Sequence, residues 1–210
     1  MTKEDSGGQG RCTEETFLLE SAMAEILAAN AGFGSVEVAE SKLRGVLELN
    51  PDHIERVEAL NLLAQLYGQT DRHEEALEYF EVALVADPGM AVPMADALAE
   101  MFEKQEEWEW AIKVYAQGLA HVEDASLRDG LGYCLARAGR FKDAEHHIRR
   151  ATELAPGNAA YINDLGFMLM EQRRHEEARA LFKHALHLDP SFKLAQNNLR
   201  ICSEEASESG

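Results

Sequence analysis

HEEALEYFEVALVADP, from His73 to Pro88, and HEEARALFKHALHLDP, from His175 to Pro190, are two versions of one segment. Each opens on His-Glu-Glu, carries Ala at the fourth place, an aromatic at the eighth and Ala at the eleventh, and closes on Asp-Pro. Places four, eight and eleven fall on one face of a helix of period 3.6, so both segments predict amphipathic helices ended by proline.

A segment written twice calls for a search for a period. Pro156 and Pro190 stand 34 residues apart. In that frame Leu131 pairs with Leu165, Gly132 with Gly166, Leu135 with Leu169, Ala144 with Ala178, Ile148 with Phe182 and Ala151 with Ala185. An earlier frame ends at Pro88 with Leu63, Ala64, Tyr67, Ala76, Phe80 and Ala83. The first ends at Pro51 with Ile26, Ala39, Leu43 and Val46 and matches least well. The stretch between, with Leu98, Ala99, Phe102, Ala111, Tyr115 and Gly118, lacks the closing proline and is one residue short.

Each unit therefore holds two amphipathic segments, separated by the polar or glycine-bearing stretches GFGS, GQTDR, KQEE, RAGR and EQRR. Small residues of the Gly132, Gly166 and Ala178 type let two helices approach closely, and Phe80, Tyr115 and Phe182 fill the next layer. One helix pair cannot bury its apolar face alone, so pairs must stack. An ordinary helical bundle gives no reason for Ala39, Ala76, Ala111, Ala144 and Ala178 to recur.

The pattern Leu-Gly, then an aromatic-bearing turn, Ala, aromatic, Ala and Pro, seen best in DLGFMLMEQRRHEEARALFKHALHLDP, resembles the tetratricopeptide repeat. The resemblance implies an all-α solenoid, a right-handed superhelix of antiparallel helix pairs. Its units are placed at about 20–53, 57–90, 92–124, 125–158 and 159–192, with a capping helix at 193–203. Residues 1–15 and the acidic tail 204–210 are expected to be disordered. His73, Trp108, Phe141 and His175 share one slot in which the family prefers an aromatic, so both histidines are expected to pack as flat rings.

The totals bound the function. With 210 residues, 46% of them hydrophobic, the chain can bury a sizeable core. A formal charge of −18 argues against nucleic acid and anionic membrane surfaces as partners. Three cysteines far apart, Cys12, Cys134 and Cys202, fit no disulfide framework. The N-terminal stretch lacks an apolar signal region and no run is long enough for a membrane span, so a cytoplasmic protein is expected.

No catalytic constellation and no cofactor motif emerges, and a non-enzymatic protein is expected. His-Glu-Glu fails as a zinc-protease helix because the fifth residue is Leu77 in one copy and Arg179 in the other. His184 and His187, with Asp189 behind, are expected to be solvated, and no metal site is expected.

In the family the first helix of each unit lines a concave groove that receives a peptide or helix of another protein. Carried onto this chain, that implies a lining of Asn61, Gln65, Asp96, Glu100, Asp129, Tyr133, Asn163, Phe167, Met170 and Asn197. Tyr133 and Phe167 fall in one slot of successive units and, with Met170, would form an apolar patch among amides and acids. The expected partner is an apolar segment that also carries Lys or Arg. Family members that bind chaperone tails clamp a terminal carboxylate with Lys and Asn, whereas Asp96 and Glu100 here would repel one. Trp110 stands where the family usually has Glu; it either packs against the preceding turn or forms a contact on the convex face. The alternative readings are a self-assembling scaffold, a homo-oligomer built through the first unit, and, behind it, an enzyme or metal-dependent regulator.

Overall fold

The computed structural model describes residues 14–49 and 51–208. Among these residues there are eleven α-helices and no strand. They are α1 (Glu14–Asn30), α2 (Val36–Glu48), α3 (His53–Gly68), α4 (His73–Ala86), α5 (Ala91–Lys104), α6 (Trp108–His121), α7 (Ala125–Arg137), α8 (Phe141–Leu154), α9 (Ala159–Glu171), α10 (His175–Leu188) and α11 (Lys193–Glu208). Odd and even helices pair from α1/α2 to α9/α10, and each pair packs on the next through contacts such as α3 on α5 and α4 on α6. This is the solenoid expected from the period.

The layering follows from the small residues. Ala39, Ala76, Ala111, Ala144 and Ala178 have no exposed surface, and Phe80 and Phe182 beside them are also fully buried. Burying each phenylalanine contributes about 2–3 kcal/mol. A methyl group on Gly132 would collide with the Ile148 side chain, and one on Gly166 would sit 2.8 Å from the Phe182 ring. Glycine is what lets α7 meet α8, and α9 meet α10, at these points.

The turns inside four of the pairs share one construction. Asp71 (φ 56°), Glu106 (φ 58°), Gly139 (φ 77°) and Arg173 (φ 63°) are all left-handed, two residues before the next helix. The residue after each donates its backbone N–H back to the preceding helix: Arg72 to Tyr67 at 3.0 Å, Glu107 to Phe102 at 2.8 Å, Arg140 to Leu135 at 2.8 Å and Arg174 to Leu169 at 2.9 Å. This satisfies a carbonyl at the helix end.

The second pair begins ahead of the unit read from the period, with α3 starting at His53 rather than 57, while α7 and α9 start at Ala125 and Ala159 as the period placed them. Aspartate caps set the starts of α3 and α7. Asp52 accepts from the Glu55 N–H at 2.9 Å, and Asp124 accepts from the Ser126 N–H at 2.7 Å. The unit without a closing proline ends instead on extended Val122 (φ −143°, ψ 134°).

At the C-terminus, α11 extends to Glu208, so 204–208 are helical where a disordered tail was expected. Both carboxylate oxygens of Glu204 accept from Arg200 Nη1 at 2.8 Å one turn earlier, and Cys202 is fully buried against α10. The expected disorder at 1–13 and at 209–210, and Cys12, lie outside the described residues.

His73 occupies the aromatic slot as a ring: it is buried, with edge contacts to Phe102 at 5.1 Å and Trp110 at 5.2 Å. Trp110 is half-buried between His73 and Phe102, and the Lys113 ammonium lies 3.5 Å from its ring centroid. This is the packing role, with the indole held by the preceding pair.

Candidate functional site

Helices α3, α5, α7, α9 and α11 line one face of the stack, and each contributes the same slot to it. From α3 to α9 the slot holds Asn61, Asp96, Asp129 and Asn163. On α11 it is Asn198, not Asn197, that points inward. Asn198 Nδ2 donates to Asn163 Oδ1 at 3.0 Å, and both residues are buried. Asn163 Nδ2 donates to Asp164 Oδ1 at 3.1 Å, so this asparagine is consumed by internal bonds. Asn197 is exposed and accepts from Arg200 Nη2 at 3.1 Å.

The middle of the face is acidic and partly dehydrated. Burial pushes the Asp129 carboxyl up to about 7, with the charge of Asp164 adding to the effect. Asp129 Oδ1 is buried without a hydrogen-bond partner. Burial, then the charges of Asp124, Glu103 and Glu100, raise Asp96. Asp164 is raised by burial against the lowering bond from Asn163. The Tyr161 hydroxyl is raised by burial and then by Asp129. Burial thus favours the protonated form of carboxyls on α5, α7 and α9, with the Asp164 charge adding to the effect at Asp129. The period search finds Asp96 and Asp129 but misses Asp124 and Asp164. Asp124 lies in the loop before α7, and Asp164 shares its slot with Gly130.

The apolar lining is divided. Tyr133 is 44% exposed and Phe167 38% exposed, while Met170, expected beside them, is buried in the core with Leu169, Ala178 and Phe182. Met170 lies one turn past Phe167 but packs beside Leu169, on the side of α9 that meets α10. The Tyr133 ring meets Trp108 edge-on at 6.1 Å, and the Arg137 guanidinium lies 4.5 Å from the Trp108 centroid. Trp108, read from the sequence only as a packing ring, and Arg137, one helical turn from Tyr133, join the lining.

Nearer the first pair, Ile54, Val57, Asn61, Met90 and Met94 line a cleft of about 350 Å³ between α3 and α5, with Asn61 Oδ1 buried and unpartnered. Gln65 is half-buried one turn further along α3. Glu100 is exposed and paired with Lys104 at 2.9 Å. His184 and His187 are exposed. Among the described residues, the only three metal-binding side chains that converge are Asp71, His73 and Glu107.

The tetratricopeptide repeat model matches residues 29–91, 97–159 and 130–192. A protein O-mannosyl-transferase of Caenorhabditis elegans, F38B6.6, is 32% identical over 89 residues, which is 42% of this chain and 13% of that protein. The chain spans less than a quarter of the length of each of three curated relatives it matches, 13%, 10% and 22%. Among solved structures, YrrB, described as a TPR protein with an unusual peptide-binding site, superposes with a TM-score of 0.56 at 21% identity, covering 89% of this chain and 98% of that one. The second TPR domain of human RPAP3, solved with the HSP70 peptide SGPTIEEVD, superposes with a TM-score of 0.52 at 22% identity, covering 55% of this chain and 98% of that one. Among the described residues no helix is long and apolar enough to cross a membrane. Stacked pairs, small residues at every crossing and the match over most of its length make this chain a member of the tetratricopeptide repeat family.

Proposed function

We propose that the chain is a protein-interaction module whose α3–α11 face receives a segment carrying Lys or Arg together with apolar residues. The observation that carries this reading is the run of half-buried carboxylates at Asp96, Asp129 and Asp164, with an unpartnered Asp129 oxygen among them. A cationic side chain entering there would replace mutual repulsion with charge-assisted hydrogen bonds. Tyr133 and Phe167 supply exposed apolar area, and the cleft between α3 and α5 takes an aliphatic side chain. Preordered helices lower the entropic cost of binding.

The RPAP3 domain holds an acidic peptide ending in Glu-Glu-Val-Asp. Asp96 and Glu100 oppose such a ligand here. The test is calorimetry with two synthetic probes, an extended Leu/Lys peptide and an acidic C-terminal peptide. The first is expected to bind wild type and to bind the Tyr133→Ala/Phe167→Ala double variant at least about tenfold more weakly. Micromolar binding of the acidic peptide, or equal affinity of wild type and double variant for the basic one, would overturn the proposal. Capture from native extract with the same two proteins then isolates the natural partner.

A second reading, self-assembly through the first pair, is favoured by the exposed Phe17, Leu27 and Phe33. A molecular mass that rises with concentration in light scattering, and falls back in Phe33→Ser, would favour it over the groove.

A further inference from the structure

Arginine holds three of the repeat junctions. The residue just before the second helix of a unit is Arg72, Arg140 or Arg174, and each reaches an acid of the preceding unit. Arg72 Nη1 donates to Glu40 at 2.8 Å, Arg174 Nη1 donates to Glu145 at 2.8 Å, and Arg140 Nη1 lies 3.9 Å from Glu109. At the junction of the second and third units this slot holds Glu107, and the place equivalent to Glu40 and Glu145 holds Leu77. Both halves of the clamp are replaced together.

What faces Glu107 across the junction is a donor set. Glu107 Oε2 lies 3.1 Å from His73 Nδ1 without hydrogen-bond geometry, and Asp71 Oδ1 lies 3.8 Å from His73 Nε2. One donor atom from each of the three lies within 4.8 Å of the others. The His73 side chain is only 9% exposed, and its Nε2 has no hydrogen-bond partner. Phe102 and Trp110 fix the ring by edge contacts. Asp71 is held left-handed by the turn, and its side chain, 93% exposed, is free to close on an ion arriving from solvent.

We propose that Asp71, His73 and Glu107 form a binding site for a divalent first-row transition ion, zinc being the best fit. One imidazole and two carboxylates are a zinc donor set with room for water in the fourth position, whereas calcium takes six to eight oxygens. Glu107 faces Nδ1 and Asp71 faces Nε2, so an ion seated on one ring nitrogen draws the carboxylate at the other round the edge of the fixed imidazole. The ion would carry, between units two and three, the positive charge that a guanidinium carries at the other junctions. It would thereby fix the two halves of the groove relative to each other.

Zinc titration by calorimetry and by thermal melting tests this on the full chain. Wild type is expected to bind one equivalent and to melt at higher temperature with zinc. His73→Phe keeps the aromatic slot filled, as Phe141 fills it in another unit, and is expected to lose at least about tenfold in affinity. Asp71→Asn, at an exposed side chain, is expected to do the same and carries the test should His73→Phe not fold. The His184→Ala/His187→Ala control is expected to bind like wild type. The proposal is overturned if wild type shows no saturable site below about 100 µM zinc, if the Asp71 and His73 variants bind as tightly as wild type, if the control loses the site, or if calcium binds equally well.

Discussion

Asp129 places a carboxyl where ionisation is costly. Its folded value of about 7 stands well above that of an ordinary aspartate. Between about pH 4 and pH 7 the folded chain keeps a proton that the unfolded chain has released. Stability therefore falls as pH rises through that window, and the full penalty is present above about 7. Asp129→Asn places there the residue found at Asn61 and Asn163. It is expected to stabilise the chain by on the order of 2–4 kcal/mol at pH 8 and by little at pH 4, as read from urea midpoints at the two pH values. A second change acts through the backbone. Glu106 holds a left-handed φ of 58° that Gly139 adopts freely in the next unit. Glu106→Gly is expected to raise stability by about 0.5–1 kcal/mol, measured in the same denaturant series. The slot that bears Asp129 was legible from the period. Its burial was not, because burial depends on how far successive helices rotate past one another.

Single helices show why small residues were the strongest signal in the chain. Gly166 lies under the fully buried Phe182 ring, which has no room to retreat. Gly166→Ala is expected to cost about 1–3 kcal/mol through overpacking, even though alanine favours helix, and a lowered melting temperature would show it. Trp110 is tied to its neighbours in the same way. Trp110→Glu removes the contacts to His73 and Phe102 and is expected to lower the melting temperature while leaving the molecular mass in light scattering unchanged. The period gave these crossings directly, because every layer repeats the same steric demand. The helix start at His53 was not legible from it, since a motif frame anchored on prolines says nothing about which residue caps the helix. Met170 shows the remaining difficulty: on a helix that touches neighbours on two sides, one apolar stripe does not distinguish core from groove.

At the level of the whole molecule, the proposed groove couples binding to protons. Asp129 is faced by Asp164 and Tyr161 on α9, and Tyr161 also feels Asp124 and Asp96. A cationic ligand favours the ionised Asp129, so below pH 7 binding expels a proton. Affinity for the Leu/Lys probe is expected to drop by roughly tenfold from pH 7.5 to 5.5 and to lose that dependence in Asp129→Asn, as followed by calorimetry. Charge composition alone pointed to a basic partner, but the place where the charge is concentrated depends on three helices meeting.

Among the described residues, the substantial contacts of each helix are with those one or two steps away along the chain. A force applied at the two termini would therefore meet no long-range fastening and would strip the pairs away in succession. α1, with only Leu19 and Ala22 buried, offers the least resistance. The stack is held link by link, so its resistance is that of the weakest neighbouring interface rather than of the whole.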